Sequence, residues 1–98
     1  MEQITVALLL SLDNTNIIDI RTPSNYQLGH LPKAKNIPFN VLYNMSEMYL
    51  QKDKIYYIYC AYGIMSIKLC KHLKENNYKV VDVIGGYQAY QKYLKRWS

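Results

Sequence analysis

Among the 98 residues of this chain, Cys60 is the one best placed to do covalent chemistry. It closes the run Ile55-Tyr56-Tyr57-Ile58-Tyr59, whose β-branched and aromatic content predicts a strand. Cys60-Ala61-Tyr62-Gly63-Ile64-Met65-Ser66 follows as a predicted loop centred on Gly63, and Ser66 to Lys74 returns to helical spacing. If that loop curls around the sulfur, the backbone N–H groups of Ala61 to Ser66 form an anion nest at a helix N-terminus. Such a nest favours the thiolate, the nucleophilic form of cysteine. Gly63 supplies the backbone freedom a tight curl needs. The competing reading is a small, inert core cysteine, and position alone does not choose between them.

Other candidates read as structural. Asp19 and Arg21 end a second strand and are expected to support the site by fixing loops, with direct substrate contact the lesser reading. His30 reads as a hydrogen-bonding structural residue and His72 as solvated surface, so a Cys–His dyad has little support. Cys70 shares an apolar helix face with Ile67 and Leu73, which makes it a core residue before a resolving thiol. The ten-residue spacing of Cys60 and Cys70 matches neither a redox pair nor a zinc knuckle, so no metal is expected.

The elements that must position Cys60 follow from pattern. Thr5 caps a helix over Val6 to Leu12, apolar nearly all round, part of which is available as a partner surface. Asn16 to Ile20 is a buried strand, and Ser24 caps a short helix ended by Gly29. Asn36-Ile37-Pro38 allows a brief strand, and Val41 to Leu50 has helical spacing. Asn76-Asn77 stops the Ser66–Lys74 helix, whose other face carries Lys68, Lys71 and Lys74 as a solvated stripe. Lys79 to Ile84 is the last strand, Gly85-Gly86 a turn, and Tyr87 to Tyr93 a closing helix. Strands alternating with helices, each strand run buried in character rather than alternating, predict a parallel sheet covered on both faces. Right-handed crossovers then bring Asp19, Arg21 and Cys60 to the C-terminal edge, where open α/β sheets bind ligands.

Composition narrows the function classes. Half the residues are hydrophobic and 19% charged, which excludes wholesale disorder, and the length suits one domain over residues 1–98. Twelve Lys and Arg against seven Asp and Glu give +5, suited to a small anionic substrate or an acidic partner. The basic residues are scattered, so no nucleic-acid arm is expected. The run Val6 to Leu12 is too short to span a bilayer, and Glu2 is the only early charge, against a signal peptide or membrane anchor. Two cysteines in so small a chain point to a reducing cytoplasm.

From Ile17 the chain reads IIDIRTPSNYQLGHLPKAKNIPF, which resembles the first signature of the rhodanese-like sulfurtransferases. The matching positions are Asp19, Arg21, Pro23, Tyr26, Gly29, His30, Leu31, Pro32, Ala34, Asn36, Ile37 and Pro38. From Ile55, IYYIYCAYGIMSIKLCKHLKENNYKVVDVIGGYQAY is similar to the second half, through Cys60, Gly63, Ser66, Leu73, Tyr78, Val81 and Gly85-Gly86. The resemblance is weakest over Asn40 to Lys54. It implies a three-layer α/β/α fold with a five-stranded, mainly parallel central sheet. It also implies sulfane-sulfur transfer from thiosulfate, a persulfide or a polysulfide to a thiol, cyanide or a protein acceptor. Cys60 would carry the sulfur as a persulfide, the loop Ala61 to Ser66 would bind substrate, and no cofactor would be required.

Two departures bear on substrate. Ala61 and Met65 stand where many relatives place arginines that grip an anionic donor, which makes a less charged persulfide or polysulfide donor more plausible. Asn25 and Tyr90 replace the family's usual Glu and Trp, both tolerable exchanges. A phosphatase of the same fold would need an arginine after five residues following the cysteine, and Ser66 stands there instead. The alternative of a different class is a non-catalytic rhodanese-like protein-binding or regulatory module, suggested by the missing arginines and the apolar first helix.

Overall fold

The computed structural model describes residues 2–97. Its elements run β1 (Gln3–Ile4), α1 (Val6–Ser11), β2 (Asn16–Asp19), α2 (Pro23–Leu28), β3 (Lys35–Asn36) and α3 (Phe39–Asn44). They continue as α4 (Ser46–Tyr49), β4 (Ile55–Tyr59), α5 (Ile64–Glu75), β5 (Lys79–Val83) and α6 (Gly86–Lys95). The five strands form one sheet in the order β1-β5-β4-β2-β3, and every pairing is parallel. The expected α/β/α architecture is therefore present, with β4 in the middle and its C-terminal end carrying Cys60.

Side-chain alternation along each strand divides the core in two. On one face Ile18, Ile58 and Val80 pack with Leu42 of α3 and Leu69, Cys70 and Leu73 of α5. On the other, Ile17, Tyr59, Val81 and Val83 pack with Val6 and Leu9 of α1, and Tyr26 of α2 and Tyr87, Tyr90 and Tyr93 of α6 close against them. Leu9, Leu42, Leu69 and Leu73 are fully buried, each contributing roughly 1.5–3 kcal/mol by leaving water. Much of the tyrosine content thus lies in the core and its margins.

Several boundaries differ from the sequence reading, each for a local reason. β1 is an element the pattern did not show: two residues carry no periodicity, and Gln3–Ile4 becomes a strand only by pairing with Asp82 and Val83. Thr22, not Ser24, caps α2, because its hydroxyl accepts the Asn25 N–H at 3.3 Å with Pro23 in the first turn. The brief third strand sits at Lys35–Asn36, just before Pro38 removes a donor. The Val41–Leu50 helix is two helices, broken where Met45 turns to φ −133° and ψ 39°. Helix α5 starts at Ile64 and buries Leu69, while Ile67 is exposed. In α1, Val6 and Leu9 are buried and Leu8 is left exposed, so the apolar face is only partly free. No helix among the described residues is long and apolar enough to cross a membrane.

Candidate active site

Cys60 lies one residue beyond β4, 5% exposed, at the floor of the loop leading into α5. The loop does curl around the sulfur. Sγ accepts the backbone N–H of Gly63 at 3.1 Å and that of Ser66 at 3.3 Å. Gly63 caps α5 with φ 95°, a left-handed conformation that side-chain-bearing residues rarely adopt. The turn packs so closely on β5's exit that a Cβ at Gly63 would lie 3.0 Å from the Gly85 nitrogen.

The loop is held from a second direction by the N-terminus of α6. Tyr87 N–H donates to the Cys60 carbonyl at 2.8 Å and Gln88 N–H to the Ala61 carbonyl at 3.0 Å. These donors, otherwise without a partner in the first turn of a helix, fix the backbone beneath the sulfur. Gly86 explains the double glycine: a side chain there would collide with the Cys60 carbonyl oxygen.

Of the six loop residues singled out by sequence, Gly63 and Ser66 point N–H groups at the sulfur and are buried. Ala61 contributes the carbonyl held by α6. Tyr62, Ile64 and Met65 are 66%, 74% and 45% exposed, which makes the rim of the sulfur site apolar and accessible. Cys70 is completely buried behind it, and its thiol is pushed up to about 12, by burial first and then by the negative charges of Asp82 and Cys60.

Asp19 and Arg21 form a fork-to-fork ion pair: Arg21 Nη2 meets Asp19 Oδ2 at 2.8 Å and Nε reaches both carboxylate oxygens at 3.1 Å. Arg21 also donates to the Gly29 carbonyl at 2.6 Å and stacks 4.0 Å from the centre of the Tyr87 ring. Burial opposes the Arg21 charge, but the hydrogen bonds and charge of Asp19 outweigh it and hold the guanidinium above its ordinary value. The pair therefore ties β2's exit to α2 and to the start of α6, next to the helix that holds the sulfur loop.

His30 sits with its ring stacked on Tyr26 at 3.8 Å and donates from Nδ1 to the Tyr26 carbonyl, the structural part expected of it. His72 is not solvated surface: it is half-buried and stacks on Tyr43 at 3.9 Å, joining α5 to α3. The described residues contain no cluster of three or more His, Cys, Asp or Glu able to hold a metal ion.

Sequence reading singled out Ser66 but missed Asp82 and Gln3 behind it. The Cys60 thiol is 3.5 Å from Ser66 Oγ and donates to it, and Ser66 Oγ in turn donates to Asp82 Oδ1 in a short hydrogen bond. Asp82 Oδ2 accepts Gln3 Nε2 at 3.0 Å. The one available signal was an acidic residue inside the otherwise apolar run Val80 to Ile84.

Comparison with known proteins agrees with this fold. The family model described as the Rhodanese-like domain matches residues 5–93. The adenylyltransferase and sulfurtransferase uba4 of Ogataea parapolymorpha is 35% identical over 98 residues, 99% of this chain but only 23% of that protein. The chain thus spans less than a quarter of that relative's length. Thiosulfate sulfurtransferase GlpE of Coxiella burnetii is 32% identical over 76 residues, 76% of this chain and 70% of that protein. A rhodanese-related protein from Thermoplasma volcanium superposes with a TM-score of 0.86 at 28% identity, covering 95% of this chain and 93% of that one.

Proposed function

The chain belongs to the rhodanese-like domain family, and on that premise we propose that it is a sulfurtransferase that carries a sulfane sulfur as a persulfide on Cys60. The observation that carries this reading is the pair of backbone N–H groups, from Gly63 and Ser66, aimed at Cys60 Sγ. A nucleophile between preorganised donors is stabilised as an anion before and after it reacts.

In the proposed reaction the Cys60 thiolate attacks the outer sulfur of the donor. A Cys60–sulfur bond forms, the donor's sulfur–sulfur bond breaks, and its electron pair leaves with the remaining fragment, sulfite when the donor is thiosulfate. The terminal sulfur of the persulfide carries the negative charge, held by the donors of the loop Ala61 to Ser66. A second nucleophile then takes that sulfur and returns the thiolate, so ping-pong kinetics are expected. No cofactor enters either step. Asp19 and Arg21 support the site by holding Gly29 and Tyr87 in place.

Substrate preference follows from the rim. With Ala61 and Met65 in place of arginines, the loop offers dipoles but no guanidinium, so a persulfide or polysulfide donor is favoured over thiosulfate. The exposed Tyr62, Ile64 and Met65 favour a bulky thiol or a protein-borne acceptor over cyanide. A reducing cytoplasm suits an enzyme whose two cysteines are both free.

Intact-protein mass spectrometry after incubation with thiosulfate or polysulfide tests the reading, with Cys60→Ser and Cys70→Ser as controls. One added sulfur, reversed by reductant and absent only from Cys60→Ser, is the expected result. No adduct from either donor on folded, reduced protein would favour the second reading, a non-catalytic binding module. The exposed apolar rim is the observation that would then remain to be explained.

A further inference from the structure

Asp82 is fully buried, yet its side-chain hydrogen bonds come from two neutral donors, Ser66 Oγ and Gln3 Nε2. Ser66 itself is fully buried and touches both ends of a line: its oxygen receives the Cys60 thiol hydrogen and its own hydrogen goes to Asp82. We propose that Asp82 is a positioning residue that takes the Cys60 proton through Ser66, so that the thiolate forms by an internal transfer rather than by loss of a proton to solvent. This inference rests on the reading of Cys60 as the nucleophile.

The transfer balances without any outside group. The Cys60 thiol gives its proton to Ser66 Oγ as Ser66 gives its own to Asp82 Oδ1; the serine ends unchanged, the carboxylate becomes a carboxylic acid, and the thiol becomes a thiolate. The total charge stays at one negative unit throughout. That conservation is the physical reason for the arrangement. Two negative charges in one buried site, with no cation paired to Asp82 among the described residues, repel strongly, so a thiolate beside an ionised Asp82 is disfavoured, whereas moving the proton avoids the second charge.

The groups facing Asp82 from the elements around it are Gln3 from β1, Ser66 and Cys70 from α5, and Cys60 beyond β4. Cys70, held up to about 12 by burial first, stays a neutral thiol in the working range and does not compete for the proton. The Asp19–Arg21 pair lies on the other face of the sheet: Asp19 shares its face with Ile17, and Asp82 shares its face with Val80.

The inference has a readout independent of sulfur transfer. A proton shared between Cys60 and Asp82 makes the population of reactive thiolate nearly independent of pH over the interval in which the pair holds one proton. The rate of Cys60 alkylation by iodoacetamide, followed by peptide mass spectrometry, should therefore be flat over that interval. In Asp82→Asn the amide oxygen still accepts from Ser66 but takes no proton, and the rate should rise about tenfold per pH unit, as for an isolated thiol. Asp82→Ser, whose hydroxyl likewise accepts a hydrogen bond but takes no proton, should give the same slope and serves if Asp82→Asn does not fold. A wild-type rate already rising tenfold per unit, or the same profile in wild type and both variants, would overturn the relay. Failure of the persulfide assay with a flat alkylation profile would instead leave the relay standing and remove the sulfurtransferase reading.

Discussion

Asp19 and Asp82 are both buried aspartates near the C-terminal edge of one sheet, with no side-chain exposure, and they are bound in opposite ways. Asp19 faces a guanidinium in a fork-to-fork pair and also accepts the Tyr59 hydroxyl at 2.6 Å. Asp82 faces a serine hydroxyl and a glutamine amide. The first is a carboxylate neutralised by a fixed partner, and it joins β2, α2 and α6. The second is a carboxylate with no cation paired to it among the described residues, and it is placed behind a thiol. A buried charge with its counter-ion is architecture; one without it has somewhere for a proton to go.

The comparison is broken most directly by removing each charge in turn. Asp19→Asn leaves Arg21 without its counter-charge, and the loss of one partner of a buried pair should cost about 3 kcal/mol or more in urea unfolding. Asp82→Asn removes a desolvated charge that has no cation partner among the described residues, and stability should stay within about 1 kcal/mol of wild type. Similar losses at both sites would mean that Asp82 is structural as well.

Tyr59 sharpens the Asp19 side. Its hydroxyl donates to Asp19 and accepts the Leu31 N–H at 3.0 Å, so Tyr59→Phe should cost about 2 kcal/mol by leaving buried partners unsatisfied. Burial, then the bond to Asp19, raises the phenol well above its ordinary value, so the folded chain keeps a proton that the unfolded chain releases. The stability is full below the unfolded value, about 10, and is lost as pH rises beyond it. Tyr59→Phe should therefore show a shallower loss of thermal stability across the alkaline range.

Gln3 sharpens the Asp82 side and should give the smallest change in stability, about 1 kcal/mol for Gln3→Ala. The kinetic effect is directional. Removing a hydrogen bond to the ionised carboxylate makes Asp82 a better proton acceptor, so Cys60 should alkylate faster on the flat limb. A bond of about 1.4 kcal/mol corresponds to about tenfold. A slower reaction in Gln3→Ala would contradict the relay even if stability behaved as expected.

Much of this was legible in the chain. The strand ending at Tyr59, the turn at Gly63 and the start of a helix just beyond it are local signals, and together they put Cys60 in a loop able to surround its sulfur. Three of the five strands, β2, β4 and β5, showed as largely apolar runs, because a strand covered on both faces needs apolar residues; the brief β3 showed only as Asn36 and Ile37 before Pro38. What stayed hidden was short or non-local. β1 is two residues long and exists through its pairing with β5. His72 looks solvated beside Lys71 until Tyr43 of another helix stacks on it.

The sequence by itself determined the layered α/β architecture, the place of Cys60 and the need for glycine at 63, because each depends on residues adjacent along the chain. Only the tertiary structure decided what lies behind the sulfur. Ser66 is six residues from Cys60, Asp82 sixteen from Ser66, and Gln3 seventy-nine from Asp82. Their meeting depends on the register of β1 and β5 and on how α5 packs over them. That geometry is set by the whole core, and no local pattern encodes it.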